Sequence, residues 1–239
     1  MKQVTGRNSG STQVIRELSI QVTLDGFSFA VVENGVDVRV ALCDASGLSG
    51  LAASAAGYDA VYVGWATDMV QVVPAAIFDA DYVVQYQTAA NMVAPNSAVL
   101  YNDTLCSGVV AVWSAPEEIY SYLAELFGVE KVYHYHNIQA DIASCYSESV
   151  RVTVCEGMAN IVICSVEGLQ CAEAVAETRA ENLLYYATKL NSDDHFARHS
   201  LWLTAADCAH YVPLFDRSFT VAQYTDSEMF YHNFILQCE

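Results

Sequence analysis

A carboxylate seated in a tight turn between two apolar strands can hold a magnesium ion or face a phosphate, and Asp25 in LDGFSF is such a residue. In Thr23-Leu24-Asp25-Gly26 the glycine accepts the positive φ the turn requires. Asp-Gly is equally an ordinary hairpin signal, and that is the preferred reading of the residues alone. Histidines offer a second chemistry. His134 and His136 share one face of a strand, and His195 and His199 share one face if 194–199 is helical, so two pairs could donate to zinc. No HExxH motif accompanies them, and surface or hydrogen-bonded histidines account for both pairs. Cys208-Ala209-His210 sets a thiol near an imidazole but supplies no third group to orient it as a base. The eight cysteines (43, 106, 145, 155, 164, 171, 208 and 238) include no CxxC and mostly sit among apolar neighbours. Reduced, buried thiols are the expectation, with a disulfide among Cys155, Cys164 and Cys171 as the rival.

These residues need a frame, and hydrophobic alternation provides one. Leu18, Ile20, Val22 and Leu24 alternate with Ser19, Gln21 and Thr23, predicting a strand with one buried face. Phe27 to Val32 returns, Asn34-Gly35 turns again, and Val36 to Leu42 completes a three-stranded meander. The same pattern recurs half a chain later. Val150 to Cys155, Asn160 to Ser165 and Leu169 to Ala174 are strands separated by Glu156-Gly157 and Glu167-Gly168, so an internal duplication is the economical account.

Between and after the meanders, strands and helices alternate. Asp44 to Gly57 is expected to be a modest helix, and Ala60 to Trp65 a buried strand. Met69 to Phe78 is a strand that Pro74 stops, and Asp79 caps a helix over DADYVVQYQTAAN. Val99 to Tyr101 and Val109 to Trp113 are strands. Ser114-Ala115-Pro116-Glu117 reads as a capping box opening a helix to Gly128. Lys131 to His136 is a strand and Asn137 to Tyr146 a short helix. Ala176 to Leu190 is an amphipathic helix, Ser200 to Thr204 and Phe219 to Tyr224 are strands, and Ala205 to Phe215 turns into a helix. The aromatic tail after Asp226 is expected to pack. The expected division is a flexible lead-in over 1–17 and two halves, 18–130 and 131–239.

Composition excludes several partners. Ten Lys and Arg face 28 Asp and Glu, a net charge of −18, and the cations are scattered. Nucleic acid and anionic membrane surfaces are therefore poor partners, because both require neutralised phosphates. No apolar run approaches the length of a membrane-spanning helix, and the polar start has no secretory h-region. A cytoplasmic protein with a protein partner is the expectation.

Two duplicated halves, each opening strand-turn-strand, followed by the late strand LWLTAAD, resemble the superfamily of actin, sugar kinases and heat-shock chaperones. The runs LSIQVTLDGFSF and VQVVPAAIFDADY further resemble a bacterial domain family of unknown function with that fold. The resemblance implies an α/β protein: duplicated RNase H-like subdomains in an actin-like ATPase arrangement, each a three-stranded antiparallel meander extended by parallel strands and flanking helices. It also implies a cleft in which the turns at Asp25-Gly26 and Glu156-Gly157, with Ser28, face the phosphates of ATP with Mg, while Thr204 and Ala205 line the adenosine. The chain departs from that pattern at each turn. Asp25 directly precedes the glycine, Met158 follows the second turn where small residues are usual, and Thr204-Ala205-Ala206 replaces a glycine-rich run. No Lys or Arg stands near these turns in the sequence. The expectation is thus a noncatalytic scaffold or interaction protein with a degenerate nucleotide site and no cofactor. The alternatives are an ATP-binding protein or slow ATPase with an altered site, and a histidine-based metal enzyme.

Overall fold

Alternation along the first meander becomes a sheet with two unlike faces. In the computed structural model, which describes residues 15–23, 26–34, 36–43, 50, 58–90, 92–103, 108–145, 148–155, 157–190, 200–219, 221–227 and 231–232, β1 (Arg16–Val22) pairs antiparallel with β2 (Phe27–Glu33), and β2 with β3 (Val36–Cys43). Leu18, Ile20, Val22, Phe29 and Val31 pack into the core, while Ser19, Gln21, Ser28 and Ala30 turn to the opposite face. β4 (Ala60–Trp65) adds parallel to β1, and β8 (Val132–His136) parallel to β4, giving the order β3-β2-β1-β4-β8. β8, expected to open the second half, therefore completes the first sheet.

The second sheet repeats this plan. β9 (Ser149–Cys155), β10 (Met158–Ser165) and β11 (Gly168–Val175) form the meander, and β12 (Ser200–Ala205) and β13 (Ala222–Asp226) extend it in parallel, in the order β11-β10-β9-β12-β13. β10 has no solvent face over most of its length. Ile161 and Ile163 enter the core of the second sheet, while Val162 and Cys164 enter that of the first.

Between β4 and β8 the chain builds a third, antiparallel sheet in the order β5-β7-β6, from β5 (Val70–Pro74), β6 (Ser97–Asp103) and β7 (Val109–Pro116). Pro74 ends β5, as its missing donor requires. Asp79 Oδ1 accepts from the Asp81 amide at 3.0 Å, and a 3-10 turn, Ala80–Tyr82, leads into α1 (Val83–Ala89). α2 (Glu117–Phe127) packs Leu123 and Phe127 into the first core beside Trp65 and Trp113.

Two helix starts differ from expectation. Ser114 is a strand residue of β7 whose hydroxyl donates to the Met92 carbonyl at 2.8 Å, so it does not cap α2, which starts after Pro116 with no side-chain cap. α4 (Ala180–Leu190) starts four residues later than Ala176, because Glu177 Oε1 accepts from the Thr178 and Arg179 amides at 2.9 and 2.8 Å and holds that turn outside the helix. The final strand is displaced from Phe219 to Ala222, after the short helix α5 (Val212–Phe215). The expected helix over 44–57 lies outside the described residues except for Gly50, as does the expected lead-in over 1–17 up to residue 14, β1 already including Arg16 and Glu17. Among the described residues no helix is long and apolar enough to cross a membrane.

Candidate functional site

The chain passes from the first sheet to the second through α3 (Ile138–Ala143), between β8 and β9. Ile138 to Ile142 are all buried, Gln139 and Asp141 included, so this helix runs through the interior between the sheets. Asp141 is fully buried and accepts three hydrogen bonds. Thr153 Oγ1 of β9 donates to Oδ1, while Asn160 Nδ2 of β10 and the Tyr231 hydroxyl each donate to Oδ2 at 2.8 Å. Burial pushes the Asp141 carboxyl above the ordinary carboxylate range; the Arg151 charge and the three donors pull against it. Arg151 donates from Nη2 to the Ser144 carbonyl at 3.1 Å. The sequence reading placed no cation near the turns, yet Arg151 is two residues before Thr153 on the same face of β9.

Tyr231 also accepts from Asn160 Nδ2 at 2.9 Å, and burial holds its hydroxyl well above the usual phenol value, so it remains a donor to Asp141. The next residue reaches the other sheet. His232 Nδ1 lies 2.8 Å from Ser19 Oγ of β1, and Nε2 lies 2.9 Å from Ser28 Oγ of β2. Burial lowers this imidazole to about 4, so at neutral pH it is uncharged, donating at one nitrogen and accepting at the other. The expectation that the aromatic tail packs holds for these two residues.

The described residues expected at a phosphate sit on β2 and β12 and beside the ends of the two meander ladders. The first ladder runs to Val22–Phe27, and Thr23 closes the turn with its amide on the Gly26 carbonyl at 3.0 Å. Ser28, expected to face phosphate, has its hydroxyl on His232 Nε2. The second ladder runs to Cys155–Met158, leaving only residues 156 and 157 to turn; Gly157 adopts φ +77, and Met158 is fully buried. Asp25 and Glu156 lie outside the described residues. Thr204 and Ala205 are buried on β12, with Ala205 packed into the second core and Thr204 in register with Thr153. Asn160, Thr153, Thr204 and Thr225 thus form one polar row across four strands.

Several amides around α3 have polar atoms without a partner. Both side-chain polar atoms of Gln21 and of Asn137 are buried and unbonded, as are Gln139 Nε2 and Asn160 Oδ1. Gln21 and Asn137 lie at the carboxyl ends of β1 and β8, the position at which sheets of this kind present ligand sites.

The other candidate chemistry is committed elsewhere. His134 Nδ1 accepts from Trp65 Nε1 at 3.0 Å, and His136 Nδ1 accepts from the Ile138 amide at 3.0 Å while its Nε2 donates to the Thr67 carbonyl at 2.9 Å. Burial lowers both imidazoles to about 4. His195 and His199 lie outside the described residues, among which no group of three or more His, Cys, Asp or Glu could hold a metal ion. The buried Cys208 thiol contacts the Thr225 carbonyl at 3.4 Å, whereas exposed His210 lies edge-on to Tyr211. Cys145, Cys155, Cys164, Cys171 and Cys208 are free thiols. Cys145 and Cys164 share a hydrogen bond that lowers the former and raises the latter.

No curated protein matches the sequence. The family model described as "Protein of unknown function (DUF3822)" matches residues 52–194, more than half of the chain. Among solved structures, a Bacteroides thetaiotaomicron protein described as having an actin-like ATPase fold and unknown function is similar at 18% identity and a TM-score of 0.79, covering 98% of this chain and 100% of that one. The cytoplasmic domain of EpsL, an inner membrane component of the type II secretion system of Vibrio cholerae, is similar at 10% identity and a TM-score of 0.54, with 93% of each chain covered. The PilM-PilN type IV pilus biogenesis complex is similar at 9% identity and a TM-score of 0.50, with 88% of each chain covered. The chain has the actin-like ATPase fold, and at these identities the likeness concerns the fold alone.

Proposed function

The chain belongs to the DUF3822 family of proteins of unknown function, and from that footing we propose that it is a noncatalytic scaffold or interaction protein that keeps the actin-like fold with a degenerate nucleotide site. The observation that carries this reading is the contact between Ser28 and His232: a hydroxyl expected to face phosphate is bonded to the chain's own imidazole. The second ladder, paired as far as Cys155–Met158, and the buried Ala205 support it, because a triphosphate needs several exposed backbone amides. Two structures of similar fold, the cytoplasmic domain of EpsL and a chain of the PilM-PilN complex, are described as a secretion-system component and as a pilus biogenesis complex, which agrees with a role in assembly. The partner is a protein, and a cytoplasmic location suits the free thiols. We take the two sheets as the two halves, with β8 in the first and α3 passing from one to the other.

Thermal melting with and without excess Mg-ATP tests the reading, because a ligand of the folded state alone raises the melting temperature. The expected result is no shift at millimolar ATP. A clear rise that Asp25→Ala abolishes would overturn the scaffold reading. It would install the second one, an ATP-binding protein or slow ATPase in which Asp25, Gly26, Ser28, Glu156, Gly157, Thr204 and Ala205 hold the nucleotide. The unpartnered amides of Asn137 and Gln139 favour that alternative, since buried polar atoms in native proteins usually have a partner.

A further inference from the structure

Besides the packing of β10 and β11 into the first core, two stretches among the described residues bridge the sheets: α3, between β8 and β9, and Tyr231-His232, where His232 bonds to strands of the first sheet. These stretches meet at Asp141, on the first, and Tyr231, on the second, joined by a 2.8 Å hydrogen bond with both residues buried. We infer that Tyr231 and His232 form a latch that ties these two stretches to each other and so holds the two sheets in one arrangement.

Each side of the latch is anchored by more than one bond. Tyr231 is held by Asp141 and Asn160, and Asp141 in turn by Thr153, so one end is fastened to α3, β9 and β10 together. His232 is held at both ring nitrogens by hydroxyls on β1 and β2, so the other end is fastened to two neighbouring strands of the first sheet. The two residues are adjacent in the chain. A rotation of one half relative to the other would have to break buried hydrogen bonds at one end or the other. The latch does not depend on whether the cleft takes a nucleotide.

Hydrogen exchange of the ligand-free protein tests it. Tyr231→Phe deletes one anchor conservatively, and His232→Gln alters the other. Tyr231→Phe is expected to speed exchange roughly tenfold in α3 and around Asn160, and also in β1 and β2 around Ser19 and Ser28. His232→Gln is expected to transmit the same effect in the opposite direction, into 138–143. The second core, Val150 to Val152 and α4, remains protected in both variants. If each substitution loosens only the strands it touches, the latch is overturned, since a local contact does not transmit across the halves. Should Tyr231→Phe fail to fold, Ser19→Ala combined with Ser28→Ala releases His232 from outside and gives the same comparison. These readings contain no ATP, so their failure is distinct from failure of the scaffold reading.

Discussion

The Tyr231 hydroxyl donates to Asp141 Oδ2 at 2.8 Å, across ninety positions of sequence and between segments that approach the interior from different sheets. Replacing Tyr231 by Phe leaves the carboxylate with Thr153 and Asn160 but removes its third donor. A hydrogen bond to a charged group contributes about 1.5–3 kcal/mol, so Tyr231→Phe is expected to lower stability by that amount. Asp141→Ala is expected to cost more than Tyr231→Phe, because it leaves the Thr153, Asn160 and Tyr231 donors without their shared acceptor. Urea denaturation reports both as a lower midpoint at an unchanged slope.

Acid is expected to destabilise the protein through its buried histidines. His134, His136 and His232 are held at about 4, whereas in the unfolded chain they titrate near 6.5. Between those values the unfolded state binds more protons, so stability falls as pH drops from about 6.5 to about 4, levels off below, and is intact above. Protonating His136 at Nδ1 would also break its bond from the Ile138 amide, at the start of α3. Asp141, raised by burial, acts in the opposite sense: its penalty on folding fades as pH falls through its folded value. The check is the pH slope of denaturation midpoints in the wild type and in His136→Gln, where the slope between 6.5 and 4 is expected to be shallower.

Among the described cysteines, Cys145 is expected to alkylate first. Its thiol is lowered chiefly by the hydrogen bond from Cys164 and is half-buried, whereas burial raises Cys171 and Cys208. Brief iodoacetamide treatment followed by peptide mass spectrometry measures the order. Earlier labelling of Cys171 or Cys208 than of Cys145 would contradict the assignment, and Cys164→Ser is expected to slow Cys145.

Gly128 ends α2 at φ +87, its amide bonded to the Ala124 carbonyl at 3.0 Å. A Cβ there would lie 2.9 Å from Glu130 Oε1, the end of a flexible side chain that can move, so backbone strain is the main cost. Gly128→Ala is expected to destabilise by about 1 kcal/mol, and adding Glu130→Ala is expected to recover only a small part of it. Thermal melting of the single and double variants separates the two contributions.

The strands of both meanders were legible because their apolar residues alternate, and the Asp-Gly and Glu-Gly turns marked where each strand reverses. Pro74 and Asp79 were legible for a like reason, since a missing donor and a capping carboxylate act within a few residues. Ser114-x-x-Glu117 misled because its spacing suits a helix start, while the Met92 carbonyl that takes the Ser114 hydroxyl is distant in sequence. Arg151, Asp141 and Tyr231 were not assigned to the site for the same physical reason. Each looks unremarkable among its neighbours, and only the folding of α3 between the sheets brings them together. The two turn carboxylates that suggested phosphate chemistry, Asp25 and Glu156, lie outside the described residues, so the described site is built mainly from residues that carried no motif.

β10 is buried on both faces, with Val162 and Cys164 in one core and Ile161 and Ile163 in the other, while Asn160 supplies the donor shared by Asp141 and Tyr231. A strand that borders solvent can exchange half its residues freely. MANIVICS has no such free half. Over evolutionary time this stretch should drift least in size and polarity, and it is the best anchor for aligning distant relatives whose turns and surfaces have diverged.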